Sequence, residues 1–472
     1  ASGRPPSLAR RVSPMMRSFG LRPVGVPPST LVRMAELQHI FHKLYAAASR
    51  DLDFIHQVFD QMSRRCEWTR HEISAYERVV AAASSKPLLL LPNSVYLRPA
   101  GSTSSLVCSC SNVQAGEPYQ LSLVQRLQSA EHHGIQAGPL RTVCAALGTA
   151  ARMVHPGRTC VALLSKPTDR LAMRTRIDLR GVGKTLQDEF DVQNVLYVSM
   201  ADLARTKLDA SGDLVLDEHR ISVIYSRFDF SHPWGRWVDP IPPDGGSAPT
   251  EEVLAEWRAI QRMEVSNAII SSNLGCRLAH RRAAQHAYVR GGGLDRLLAP
   301  EEARALRTVL PHQWALDPDF DDGEEEKEAQ ALLASNPGAY VAKNMLRPRT
   351  GSGITQDRLA SGGQIITNPA DLMSLARSDA RAWYIMFEKV TPVLHGADIA
   401  HKGSIVQLAP SEAVSEVATF GCYLEDGHGN IVFDEVAGYG ARTRPACSTH
   451  SLAGELGYGA LCSVQDSTWL EV

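Results

Sequence analysis

The sequence predicts a mixed α/β (α+β) protein of two or three lobes, and three observations carry that prediction. With 472 residues, 44% of them hydrophobic, the chain is long enough to bury more than one core. Short runs rich in Val, Leu and Ile alternate with segments whose apolar residues recur at i, i+3 and i+4, the rhythm of strands followed by helices. No apolar run approaches the roughly 20 residues that a membrane span requires, and the run at 88–91 with its neighbours reads as a buried strand. The net charge of −2 argues against a nucleic-acid or membrane-surface binder.

Taken in order, the chain opens on a basic arm, residues 1–35. Arg4, Arg10, Arg11, Arg17, Arg22 and Arg33 stand there with no acid and no lysine before Glu36. Such a composition fits a mitochondrial targeting segment or a flexible basic tail, and both a cleaved presequence and a retained arm stay open. With prolines at 5, 6, 14, 23, 27 and 28, the arm has little apolar surface to offset its ordering entropy of roughly 1–2 kcal/mol per residue. An ordered arm is therefore expected to lie extended on a partner protein through Arg10, Arg11, Met15, Met16, Arg17, Phe19 and Arg22.

Residues 37–83 read as two amphipathic helices, built on Leu37, Ile40, Phe41, Leu44 and Tyr45 and on Phe54, Val58, Phe59 and Met62. Residues 88–97 and 106–110 read as neighbouring strands, and 120–150 as two helices parted near 134–138. Val/Leu strands at 159–164 and 195–198 around a helix, then a strand at 221–225, suggest an α/β layer. A turn region at 240–249 leads to a helix over 251–271. Gly181-Val-Gly-Lys-Thr185 resembles the end of a phosphate-binding loop, but Asp178 replaces the first glycine, so the segment reads as a helix start or loop. The acidic run at 321–328 reads as a loop and helix start. The nine cysteines contain no C-x-x-C pair, and only Cys108 and Cys110 lie close together. They read as reduced core residues, which fits the cytosol or the mitochondrial matrix.

The chemistry concentrates in Tyr340-Val-Ala-Lys343, followed by a loop ending Gly351-Ser-Gly353, and in Tyr384-Ile-Met-Phe-Glu388-Lys389. A lysine on one strand, a glycine loop and an aromatic/Met-Glu-Lys strand resemble the ATP-grasp arrangement, and in particular the ATP site of eukaryotic glutathione synthetase. Four further segments resemble that family in order and approximate spacing: Val223-Ile-Tyr-Ser-Arg227, Val414-Ser-Glu416 with Phe420-Gly-Cys-Tyr423, Gly440-Ala-Arg442-Thr-Arg444, and Gly454-Glu-Leu-Gly457. The resemblance implies an ATP-grasp fold with an inserted α/β substrate-type domain and a helical N-terminal part. Its boundaries would be 1–35 for the arm, 36–157 for the first part of the body, 158–283 for the insert, and 284–472 for the rest with a lid at about 335–390. It also implies a nucleotide site at Lys343, Glu388, Lys389 and Arg281, and a substrate site at Arg227, Arg442 and Gly454.

The same resemblance exposes losses. Of the family's three metal-binding carboxylates, only one has a counterpart here, Glu416; Ser109 and Arg347 stand at the other two positions. Arginine cannot ligate a metal, and no acid occurs between Lys343 and Gln356. Pro348-Arg-Thr350 replaces the family's glycines, and proline has no N–H to offer a phosphate. Glu117 and Asp357 are acids that could substitute, but each lies well along its loop from the expected place. The expectation is a glutathione-synthetase-like pseudoenzyme without a cofactor, a structural or accessory subunit of a mitochondrial matrix assembly. The alternative is a nucleotide-binding or active ligase, cytoplasmic or mitochondrial, that joins glycine to γ-glutamylcysteine with ATP and Mg²⁺. A homodimer, as in the family, is compatible with either.

Overall fold

A computed structural model describes residues 18–82, 86–101, 105–112, 116–165, 170–226, 251–320, 323–345, 365–446 and 460–466. Its centre is a long antiparallel hairpin, Ser404–Glu425 with Ile431–Pro445, paired from Ala413↔Pro445 to Glu425↔Ile431. Strands Asn93–Leu97 and Val107–Asn112 extend the sheet on one side. On the other side the order runs through Ala460–Cys462 and Phe19–Gly20 to His395–His401, which pairs back onto Ser404–Glu425 and closes a ring. Alternate residues of the long strand face different cores. Val417 and Tyr423 join the helices Pro28–Ala48 and Leu52–Arg65, whereas Ala418, Phe420, Cys422 and Leu424 join Leu140–Val154.

Residues 18–35 belong to this body, which corrects the reading of 1–35 as one extended arm. Phe19 is 1% exposed and packs on Val124, Ala400 and Leu461, so it is not left for a partner. Phe19–Gly20 pairs antiparallel with His395–His401 and parallel with Ala460–Cys462; Val24–Val26 pairs with Val464–Asp466. Helix Pro28–Ala48 then starts on a proline, whose missing N–H costs nothing in a first helical turn. Arg22 is exposed. Arg10, Arg11, Met15, Met16 and Arg17 lie outside the described residues.

The region 37–83 holds parts of three helices rather than two, because Glu67–Ala82 begins immediately after the cap residue Cys66. Downstream, four parallel strands stand in the order Ile269–Ser271, Val223–Ser226, Cys160–Leu164, Asn194–Val198. Helices cover both faces, which is why these strands read as unbroken apolar runs. The segment expected as one helix over 251–271 is a helix only to Val265, and its last residues form the edge strand. Gly181–Thr185 lies inside helix Arg170–Phe190, not at a helix start or in a loop. A side chain at Gly181 would collide with the Tyr119 ring, its Cβ standing 2.0 Å from Cγ. Asp178, fully buried, accepts the backbone N–H groups of Tyr119 and Gln120 at 3.0 Å each and so caps helix Pro118–Gln128. The phosphate-loop likeness is thus a helix-packing surface.

A separate four-stranded antiparallel sheet runs Gln313–Ala315, Tyr384–Glu388, Tyr340–Asn344, Ile365–Ile366. Helices Glu324–Ser335 and Pro369–Ala376 cover its outer face around Trp314, Ala342 and Met386. Among the described residues no helix is long and apolar enough to cross a membrane.

Candidate functional site

The inner face of the separate sheet carries Val341, Lys343, Ile385 and Phe387, which share one side because side chains alternate along a strand and Lys343 is registered against Ile385. The Lys343 ammonium stands 4.3 Å from the centre of the Phe387 ring, a cation–π contact. Beside Phe387 lies a small cleft walled by Tyr45, Ser109, Gln285, Tyr288 and Gln313 among others. Burial pushes the Tyr288 phenol well above its ordinary range, so it stays protonated and donates to the Ala279 carbonyl. No residue lining the cleft, among the described residues, is a carboxylate. Ser109 stands at a β-bulge and donates to the Val95 carbonyl at 3.3 Å. Glu388 and Lys389 hold exposed side chains, and their N–H groups donate to His312 O and Ala339 O at 3.3 and 2.8 Å.

Arg281 does not join this cleft. It is 1% exposed and pairs with the equally buried Glu72 at 2.7 Å inside the helical core. The neighbouring Arg282 is the residue that reaches the sheet, donating to the Asn344 carbonyl at 2.8 Å at the end of the Lys343 strand. Assignment of the phosphate-side cation to Arg281 is corrected accordingly: Arg281 is the cap of helix Arg282–Val289, and one residue of phase turns the side chain inward.

A second small cleft lies over the central hairpin, lined by Asn93, Gly116, Leu121, Glu416, Gly440 and Arg442 among others. Glu416 and Arg442 are directly registered across the strands. Each charge in this cleft has an opposite partner. The Glu416 carboxylate lies 3.6 Å from Arg444, and Arg442 lies 3.5 Å from Glu117. Glu117 holds a left-handed backbone (φ 59°) at the start of helix Pro118–Gln128, and its carboxylate lies beside the Arg442 guanidinium. Its distance along the loop concealed this placement, because a single αL residue reverses the chain.

Ser109 therefore opens on one cleft and Glu416 on the other; the structure does not bring these two expected metal positions together. Magnesium demands near-octahedral oxygen ligation, usually including one or two carboxylates. The donors lining the cleft beside Phe387 do not fit it, and Glu416 already has an arginine beside it. Arg347, residues 351–353, Arg227 and Gly454 lie outside the described residues.

Residues 4–465 match the family described as eukaryotic glutathione synthase, ATP binding domain. Glutathione synthetase of Xenopus laevis is 25% identical over 253 residues, 53% of this chain but 46% of that protein, so the match spans less than half the relative's length. A glutathione synthetase-like effector of Globodera pallida, solved in its apo form, superposes with a TM-score of 0.65 at 15% identity. That superposition covers 95% of this chain and 90% of the other, and it concerns the fold. With its mixed α/β body and separate antiparallel sheet of ATP-grasp type, the chain belongs to the eukaryotic glutathione synthase family.

Proposed function

We propose that this chain is a non-ligating member of its family, a pseudoenzyme that serves as a structural or accessory subunit of a multiprotein assembly in the mitochondrial matrix. The observation that carries the reading is the separation of charges. The cleft beside Phe387 has no carboxylate in its lining among the described residues, Lys343 lies against the Phe387 ring, and Glu416 sits in another cleft against Arg444. Ligation through an acyl phosphate relies on metal and positioning rather than on covalent help from the protein. In the second cleft an incoming substrate carboxylate would have to displace Glu117 from Arg442. A protein so arranged works without ATP or Mg²⁺.

The matrix location draws on the acid-free arginine run at Arg4, Arg10, Arg11 and Arg17. Phe19 no longer serves as an anchor, so the partner contact rests on residues 1–17 and on the exposed Arg22. Native electrophoresis of solubilised mitochondria tests this reading. The protein is expected to migrate with a large complex; migration as a free monomer or dimer would contradict the subunit role.

A further inference from the structure

Helix Pro28–Ala48 carries His39 and His42 one turn apart, and both meet Asp434 on strand Ile431–Pro445. The two Nδ1 atoms lie 2.7 and 2.6 Å from the same Asp434 oxygen, Oδ1. One donor atom from each of the three residues falls within 4.8 Å of the others. His42 is fully buried, whereas the side chains of His39 and Asp434 are 41% and 22% exposed, so the group opens to solvent on one side.

Behind the group lie polar atoms with no hydrogen-bond partner, His42 Nε2 and both amide atoms of Gln38, on residues with 0% exposure. Leaving such atoms unmatched in a core is costly. His42 Nε2 and Gln38 Cγ stand 1.9 and 2.9 Å from where a Cβ on Gly421 would sit, so only glycine admits them there. Neither the nucleotide-side cleft nor the second cleft uses any of these residues.

We propose that His39, His42 and Asp434 bind a divalent transition-metal ion of the zinc class, with an open coordination position toward solvent. Two imidazoles and one carboxylate suit Zn²⁺, Co²⁺ or Fe²⁺ rather than Mg²⁺. With metal–ligand bonds of about 2.0–2.2 Å, ligand atoms in a tetrahedral site stand about 3.3 Å apart. The present hydrogen-bonded separations open by about 0.6 Å through small rotations of the solvent-side His39 and Asp434. On binding, each Nδ1 lone pair turns to the metal and the ring proton resides on Nε2. The buried Nε2–H of His42 then needs an acceptor, and Gln38, whose Cγ shares the space at Gly421 with that nitrogen, can turn its amide oxygen to it; such outer contacts fix ring orientation at metal sites.

The test is a Co²⁺ titration of the full chain after removal of metals by chelation. One equivalent is expected to produce saturable visible d–d absorption, displaced by Zn²⁺, without a thiolate-to-cobalt charge-transfer band. His39→Gln, at a half-exposed position, should melt as wild type does without metal and bind Co²⁺ roughly tenfold or more weakly. X-ray absorption on the wild-type complex reads the ligands independently of any variant, and imidazole with oxygen and no sulfur is expected. Absence of a saturable signal, a sulfur shell from the buried cysteines, or unchanged binding by a folded His39→Gln would overturn the proposal.

Discussion

Arg281 occupies the place of a phosphate-side cation in the order of motifs, yet its guanidinium ends on Glu72 at 2.7 Å with both side chains buried. A buried pair of this kind is expensive to split, because removing one partner strands the other charge in a low-dielectric interior. Glu72→Ala should therefore lose about 3–5 kcal/mol in urea unfolding. An unchanged midpoint would contradict the structural role and return Arg281 to the list of possible ligands. The residue scale also shows where a sequence speaks and where it is silent. That Lys343 and Phe387 share a face follows from the two-residue period of paired strands. That Arg282 rather than Arg281 reaches the sheet depends on where a short helix begins, and adjacent arginines give no sign of it. The partners of Glu117, Asp178 and Asp434 were equally hidden, since each acts on an element far away in the chain.

At the scale of elements, the alternating strands and helices from Cys160–Leu164 onward were legible because parallel strands buried on both faces read as plain apolar runs. The third helix of the N-terminal region was not, since no Gly or Pro separates Leu52–Arg65 from Glu67–Ala82. The short strands Phe19–Gly20 and Val24–Val26 escaped for a different reason. Two or three residues carry no period, and what orders them is pairing with Ala460–Cys462 and Val464–Asp466 at the other end of the sequence. Local composition suggested an arm; long-range pairing makes part of a closed sheet. Phe19→Ala should accordingly destabilise the whole body by about 3–5 kcal/mol, read as a lowered midpoint in thermal or urea unfolding. A variant as stable as wild type would mean that residues 18–27 are dispensable to the fold.

At the scale of the molecule, the family and its ATP-grasp architecture were legible from a sequence of motifs, each weak alone and persuasive in order. Fold alone does not carry the family's chemistry, because function lives in a few side chains placed on a fold. Lys343 remains at the inner face of the separate sheet, but Ser109 and Glu416 open on different clefts, and the arginines of the second cleft are met by carboxylates of the same chain. The direct test supplies the full chain with γ-glutamylcysteine, glycine, ATP and Mg²⁺ and follows glutathione. The result expected is no product above a protein-free mixture. Sustained turnover of about 1 s⁻¹ or faster, within the usual enzyme range, would contradict the account.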